Sequence, residues 1–163
     1  MQKAVASLEN LVEQMSATAQ DLEAEAVESQ SFEAEKYIAS VVGFSTKLSS
    51  VVAAEVDNFA RFPSANEFKA YVGIDPKVSQ SGASCRTGRI TKRGNPFLRS
   101  AFYLAAQVAR QHDPELKQFF EKKMGEGKKF KVAVCAVARK LCERVYAVVT
   151  KKTFYEVRQP SLT

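Results

Sequence analysis

A chain of 163 residues, 45% of them hydrophobic, is long enough to bury one core together with an appendage or an elongated extension. Its formal charge is +6 and its pI about 9.3; no apolar run approaches the ~20 residues of a membrane span and no secretory-leader pattern is present, so a soluble cytoplasmic protein with no membrane contact is expected. The three cysteines, Cys85, Cys135 and Cys142, are odd in number and lack C-x-x-C spacing, which supports neither a disulfide framework nor a zinc site.

The charge is segregated along the chain. Residues 1–57 carry 3 Lys/Arg against 10 Asp/Glu, whereas residues 76–163 carry 19 against 6, and 58–75 are neutral. Such a division implies that the C-terminal part meets an anion and the N-terminal arm does not; nucleic acid is the simplest candidate.

In chain order, residues 3–28 lack Gly and Pro and space Leu8, Leu11, Val12, Met15, Ala19, Leu22 and Ala26 by three and four, which predicts a long amphipathic helix. Its short, Ala-rich stripe leaves a packing arm and a short coiled coil both open. After Gln30-Ser31 a helical pattern resumes over 32–42 with Phe32, Tyr37, Ile38 and Val41. Gly43 breaks it, and Thr46 is placed to cap a second helix through Leu48, Val51, Val52, Ala54 and Val56. This is the outline of either a degenerate helix-hairpin-helix, whose turn amides would face a phosphate, or a plain αα-hairpin. Ser64-Ala-Asn-Glu67 forms a capping box for a short helix through Phe68 and Tyr71, ended by Gly73 and Asp75-Pro76.

Residues 76–112 contain seven Lys/Arg and no carboxylate. Ser79, Ser81 and Ser84 stand beside Gly82 and Gly88, and Lys77, Arg86, Arg89, Lys92, Arg93 and Arg99 supply cations. Hydroxyls, backbone N–H groups and positive charge are what a polyanion needs, although a merely solvated basic loop has the same composition. Arg89-Ile90-Thr91 could pair in a two-stranded ribbon, but the glycine and serine breaks predict mostly irregular chain with little to fix it before a ligand binds.

Asn95-Pro96 predicts a helix start, with Leu98, Phe102, Ala105 and Ala109 on its buried face. Asp113-Pro114 opens another helix that buries Leu116, Phe119 and Phe120. His112, the only histidine, falls at a helix C-terminus, where a dipole partner is more common than a catalytic base. After Gly125-Glu-Gly127 a last long helix presents Val134, Val137, Leu141, Val145 and Val148, with Arg139, Lys140 and Arg144 outside that face and Cys135 and Cys142 on the apolar stripe. The expected fold is all-α: an arm over 1–31, a compact helical domain over 32–150 with a long basic loop, and a loose tail over 151–163.

From Ala39 onward the motif order resembles the C-terminal transposase domain of the bridge-RNA-guided insertion-sequence transposases, the DEDD family whose N-terminal half is a RuvC-like nuclease. The resemblance rests on Ala60-Arg-Phe-Pro-Ser-Ala65, Ala70-Tyr-Val-Gly-Ile-Asp-Pro76, Gln80-Ser-Gly82, Gly88-Arg-Ile-Thr-Lys-Arg-Gly-Asn95, Leu98-Arg99 and Lys131-Val-Ala-Val-Cys-Ala-Val-Ala-Arg-Lys140. It implies a DNA recombinase in a prokaryotic, nucleoid-associated setting, with DNA and guide RNA as partners, homo-oligomerisation, and a coiled coil in the acidic segment. It also places the recombination nucleophile on Ser81. A serine hydroxyl needs a base, a metal or a lowered pKa, and the chain offers no evident base; the resemblance assigns the carboxylates and a divalent metal such as Mg to the RuvC-like half, in a composite site built across protomers.

Two departures stand out. No segment corresponds to the RuvC-like half, so an excised domain or truncated product is expected that binds nucleic acid and self-associates but does not recombine DNA alone, with no cofactor of its own. The family's Ile-Pro-Gly-Ile-Gly is Val41-Val-Gly-Phe-Ser45 here, which weakens a phosphate contact by the hairpin turn. A non-catalytic nucleic-acid-binding or dimerisation module is the alternative, in which Ser81 only hydrogen-bonds phosphate, and a structural helical protein with a basic surface is a third.

Overall fold

The computed structural model describes residues 31–74 and 93–159 with their side chains, and the backbone of 76–81 and 84–90. The elements are α1 (31–40), α2 (Thr46–Val56), a 3-10 turn (Phe59–Arg61), α3 (Ala65–Val72), strands β1 (Pro76–Ser81) and β2 (Ser84–Ile90), α4 (Pro96–His112), α5 (Pro114–Gly125) and α6 (Phe130–Lys151). The helical class is as expected. The acidic helix predicted over 3–28 lies outside the described residues.

One expectation is corrected. Backbone that the glycine and serine breaks marked as irregular forms an antiparallel two-stranded ribbon. The ribbon absorbs those breaks: only residues 82 and 83 separate the paired Ser81 and Ser84, a hairpin-length connection, and the register sets Gly88 and Arg89 together opposite Lys77 as a bulge.

The core is built around α4, α6 and the fully buried Phe68 of α3. The Phe68 ring lies 5.3 Å from Phe59, 5.4 Å from Phe62, 5.9 Å from Phe102 and 6.2 Å from Tyr146, centroid to centroid, so four elements meet on one aromatic side chain. Ala101, Ala105, Ala106 and Ala109 leave α4 slim on its buried side. The turn between α1 and α2 uses that room: a Cβ on Gly43 (φ 103°) would collide with the Ala105 carbonyl and lie 3.0 Å from the Ala109 Cβ. Gly43 is therefore a close-packing residue. The Ser50 hydroxyl donates to Glu35 at 2.7 Å, tying α2 to α1. The N-cap of α2 is Ser45, one residue earlier than predicted; its Oγ accepts from the Leu48 amide while Thr46 is already helical.

Two further corrections concern charge and the tail. Arg144, placed outside the apolar face by its spacing, is buried: its guanidinium donates to Asp113 Oδ2 and Glu115 Oε2, each at 2.7 Å. Asp113 is fully buried, and its other oxygen caps α5 by accepting from the Leu116 amide at 2.9 Å. The segment after α6 has no regular structure, yet it is pinned. The Tyr155 hydroxyl donates to Asp113 Oδ2 at 2.8 Å and accepts from Arg144, and the Tyr155 amide donates to Ser40 Oγ at 2.9 Å. Asp113 thus joins α5, α6 and the C-terminal segment, with the desolvation of its charge offset by three donors.

The ribbon leaves and re-enters the body at one point. Gly73 ends α3 in the left-handed conformation (φ 77°), and Gly94 lies against it so closely that a Cβ on Gly94 would overlap the Tyr71 carbonyl and the Gly73 backbone. The Asn95 amide donates to the Tyr71 carbonyl at 2.9 Å, Asn95 Nδ2 to Glu55 at 2.5 Å and the Tyr71 hydroxyl to the Glu55 carbonyl at 3.3 Å. Asn95 Oδ1 meanwhile caps α4 through the amides of Phe97 (2.8 Å) and Leu98 (3.2 Å).

Gly94→Ala should cost about 1–3 kcal/mol because the obstacle is backbone and no rotamer relieves it. Gly125→Ala, with nothing within 4 Å of the added carbon, should stay within about 0.5 kcal/mol of the parent; equal melting temperatures for the two variants would contradict the packing at the ribbon foot. The Tyr155 phenol is pushed up to about 12, first by burial and then by its bond to Asp113. A raised folded-state pKa means that its contribution is whole below pH ~10 and is lost as pH rises towards 12. Tyr155→Phe should therefore lower stability by about 1 kcal/mol at neutral pH, and the gap from the parent should close over that alkaline window, as followed by urea unfolding.

Candidate nucleic-acid interface

The ribbon fixes the order of the basic stretch in space. Ser81 and Ser84 pair directly at its distal end, and Ser79 pairs with Arg86 nearer the base. At ~3.4 Å per residue, Ser81 stands roughly 17 Å along the strand from Pro76. Lys77 and Arg89 belong to the bulge. Of the predicted cations, Lys77, Arg86 and Arg89 are thus carried on one backbone unit with Ser81, and Lys92 lies outside the described residues.

The foot adds what the ribbon lacks. Arg93 is exposed at the re-entry point and lines an open cleft of about 460 Å³ with Tyr71, Asn95 and the exposed ring of Phe97. The guanidinium of Arg61 lies over the rings of Phe62 and Tyr71, 4.8 and 4.5 Å from their centroids, on the residue whose carbonyl receives the Asn95 amide. Arg61 is exposed, so a cation absent from the predicted set stands beside the foot. Arg99 does something else: half-buried, its Nη1 donates to the Gly94 carbonyl at 3.4 Å and braces the re-entering backbone. Glu55 is the carboxylate of this cleft, and its interaction with Asn95 turns it to a structural task.

The pieces of an acid–base system do not converge here. His112 is exposed at the far end of α4, 17 residues or roughly 25 Å from the ribbon foot. Among the described residues no three His, Cys, Asp or Glu side chains are grouped to hold a metal ion. No helix of the described residues is long and apolar enough to cross a membrane. Cys142 is buried and Cys135 half-buried on α6, the latter thiol pushed up by burial, which suits packing rather than nucleophilic chemistry.

Glu55, Tyr71 and Arg61 were not among the predicted site residues, since their meeting depends on how α2, the 3-10 turn and α3 pack; Arg61 and Tyr71 were carried in the motifs Ala60–Ala65 and Ala70–Pro76.

Residues 17–121 match the model of the transposase IS116/IS110/IS902 family. Over 124 residues the chain is 27% identical to the insertion element IS110 uncharacterized 43.6 kDa protein of Streptomyces coelicolor, covering 76% of this chain and 31% of that protein. It is 29% identical over 119 residues to the insertion element IS900 uncharacterized 42 kDa protein of Mycobacterium paratuberculosis, covering 72% and 30%. It is also 27% identical over 123 residues to the pilin gene-inverting protein of Moraxella bovis, covering 74% and 38%. The chain spans about a third of the length of these relatives. With its basic ribbon, its helical body and a family match over more than half its length, this chain belongs to the IS116/IS110/IS902 transposase family.

Proposed function

We propose that this chain is the part of an insertion-sequence recombinase that applies a basic, serine-tipped ribbon to DNA and to a guide RNA, with Ser81 as nucleophile. One observation carries the reading: Ser81 lies at the distal end of a ribbon within a stretch of seven Lys/Arg and no carboxylate. Phosphate–cation attraction then brings a backbone to the hydroxyl, and the same cations favour the extra negative charge of a pentacoordinate phosphorus. In the step itself Ser81 Oγ bonds to phosphorus as the bond from phosphorus to one ester oxygen of the DNA breaks; the seryl proton passes to a base and is returned to that oxygen, which leaves as a hydroxyl. That base, and the carboxylates that hold a divalent metal, are assigned to a RuvC-like domain of the whole protein, since neither is grouped among the described residues. The acidic segment 3–28 is assigned to self-association that brings protomers together around one site.

A second reading has an observation in its favour. With the one histidine at the opposite end of α4, Ser81 is equally suited to donating a hydrogen bond to a phosphate that is never cleaved.

Ser81→Ala in the whole protein separates the two: strand exchange should be abolished with nucleic-acid affinity within about twofold, because one hydrogen bond among many phosphate contacts is small. Recombination that survives the substitution assigns the nucleophile elsewhere, with Ser84 and Ser79 the next residues to replace. Lys92→Ala with Arg93→Ala should weaken binding to all sequences and reduce the salt slope on duplex DNA by roughly 1–2, at ~0.9 for each lost contact. A slope equal to the parent's would place the anion site away from the ribbon.

A further inference from the structure

We propose a second nucleic-acid site, separate from the ribbon: the cleft between α5, α6 and the C-terminal segment takes an unpaired strand, with a base against Phe119 and phosphates at Lys122, Lys140 and Arg158. The cleft measures about 510 Å³ and is lined by Phe119, Lys122, Lys140, Arg158 and the amides of Gln118 and Gln159, together with Glu115. Its volume falls in the ~300–1,000 Å³ range of sites for small ligands. A duplex is far too wide to enter it, whereas one nucleotide of a single strand fits.

The chemistry is that of single-strand recognition, an aromatic surface beside cations. Phe119 was expected in the core but is only half-buried, and its ring already attracts positive charge: Lys140 Nζ lies 4.6 Å and Lys123 Nζ 5.5 Å from its centroid. Lys123 is held by Glu126 at 2.9 Å and adds no net charge. The carboxylate of the cleft, Glu115, is committed to Arg144 at 2.7 Å, leaving only a long 3.4 Å contact to Lys140. Among the described residues neither Lys122 nor Arg158 forms a salt bridge. Arg144 is shared between Asp113 and Glu115, so one negative charge of that group remains against the three cations, and the cleft keeps a net positive charge.

The tail clasp has a purpose on this account. Arg158 and Gln159 reach the cleft because Tyr155, three residues earlier, is fastened to Asp113, Arg144 and Ser40. No residue lines both this cleft and the cleft at the ribbon foot, so one bound nucleic acid can engage duplex at the ribbon and a separated strand here.

The test uses the full 163-residue chain, with labelled oligo(dT) of about a dozen nucleotides and a duplex of the same length, titrated over a range of salt. Phe119→Ala should weaken oligo(dT) binding about five- to tenfold, the lower range for loss of one stacked base, with duplex affinity within about twofold and the salt slope unchanged. Phe119→Tyr should restore it. Lys122→Ala with Arg158→Ala, both exposed positions, should lower the single-strand slope by roughly 1.4, at ~0.7 per contact. Parent-like oligo(dT) affinity and slope in all three chains would overturn the proposal. The ribbon is tested independently: if Lys92→Ala with Arg93→Ala weakens binding while the Phe119 and Lys122/Arg158 changes do nothing, the ribbon reading stands and this one falls. If Phe119→Ala alone weakens oligo(dT) binding, this one stands and the ribbon reading falls.

Discussion

The contact between Gly73 and Gly94 is the constraint on which the functional geometry depends. A segment of 20 residues leaves the helical body after one glycine and returns at the other, and the two backbones touch because neither carries a Cβ. Steric exclusion sets the spacing of the chain's exit and return points, and the Asn95 amide bond to the Tyr71 carbonyl ties them together. Asn95 also caps α4, so the same residue that closes the ribbon starts the longest contact surface of the core. The attachment of the ribbon is in this sense a consequence of core packing, through a joint of two glycines and one asparagine.

Charge is used in two physically distinct ways. Buried charge is structural: Arg144 and Asp113 are nearly or fully out of water, each is answered by more than one partner, and together they hold α5, α6 and the C-terminal segment. Peripheral charge is left exposed at Arg93 and Arg61 by the ribbon's foot, and at Lys122 and Arg158. The net positive charge of the C-terminal part thus overstates the cations that can meet a polyanion, since Arg144 is spent on the fold and Arg99 on bracing Gly94. A count of Lys and Arg along the chain cannot make that distinction.

Local signals in the sequence were reliable where the physics is local. Ser64, Gly73, Asn95-Pro96 and Asp113-Pro114 each mark the helix end observed, because a cap is satisfied within a few residues of itself. The ribbon was only partly legible, at Arg89-Ile90-Thr91, for the same reason in reverse. Gly88 and the serines lower strand propensity taken one at a time, and only pairing with the other strand turns Gly88 into part of a bulge. Arg144, Tyr155 and Glu55 acquire their roles from partners 31, 42 and 40 positions away, which no spacing rule reaches. The motif order from Ala60 to Lys140 did point to the family, while the cleft beside Phe119 was hidden by reading that ring as core.

The central claim is that the ribbon is the surface this chain applies to nucleic acid. Amide hydrogen exchange of the 163-residue chain, followed by mass spectrometry with and without duplex DNA at low salt, tests it most directly. The account predicts slower exchange over residues 76–90 and around Arg93 on binding, with α1 and the interior of α4 unchanged. Protection confined to other elements, with the 76–90 amides exchanging as in the free chain, would contradict it.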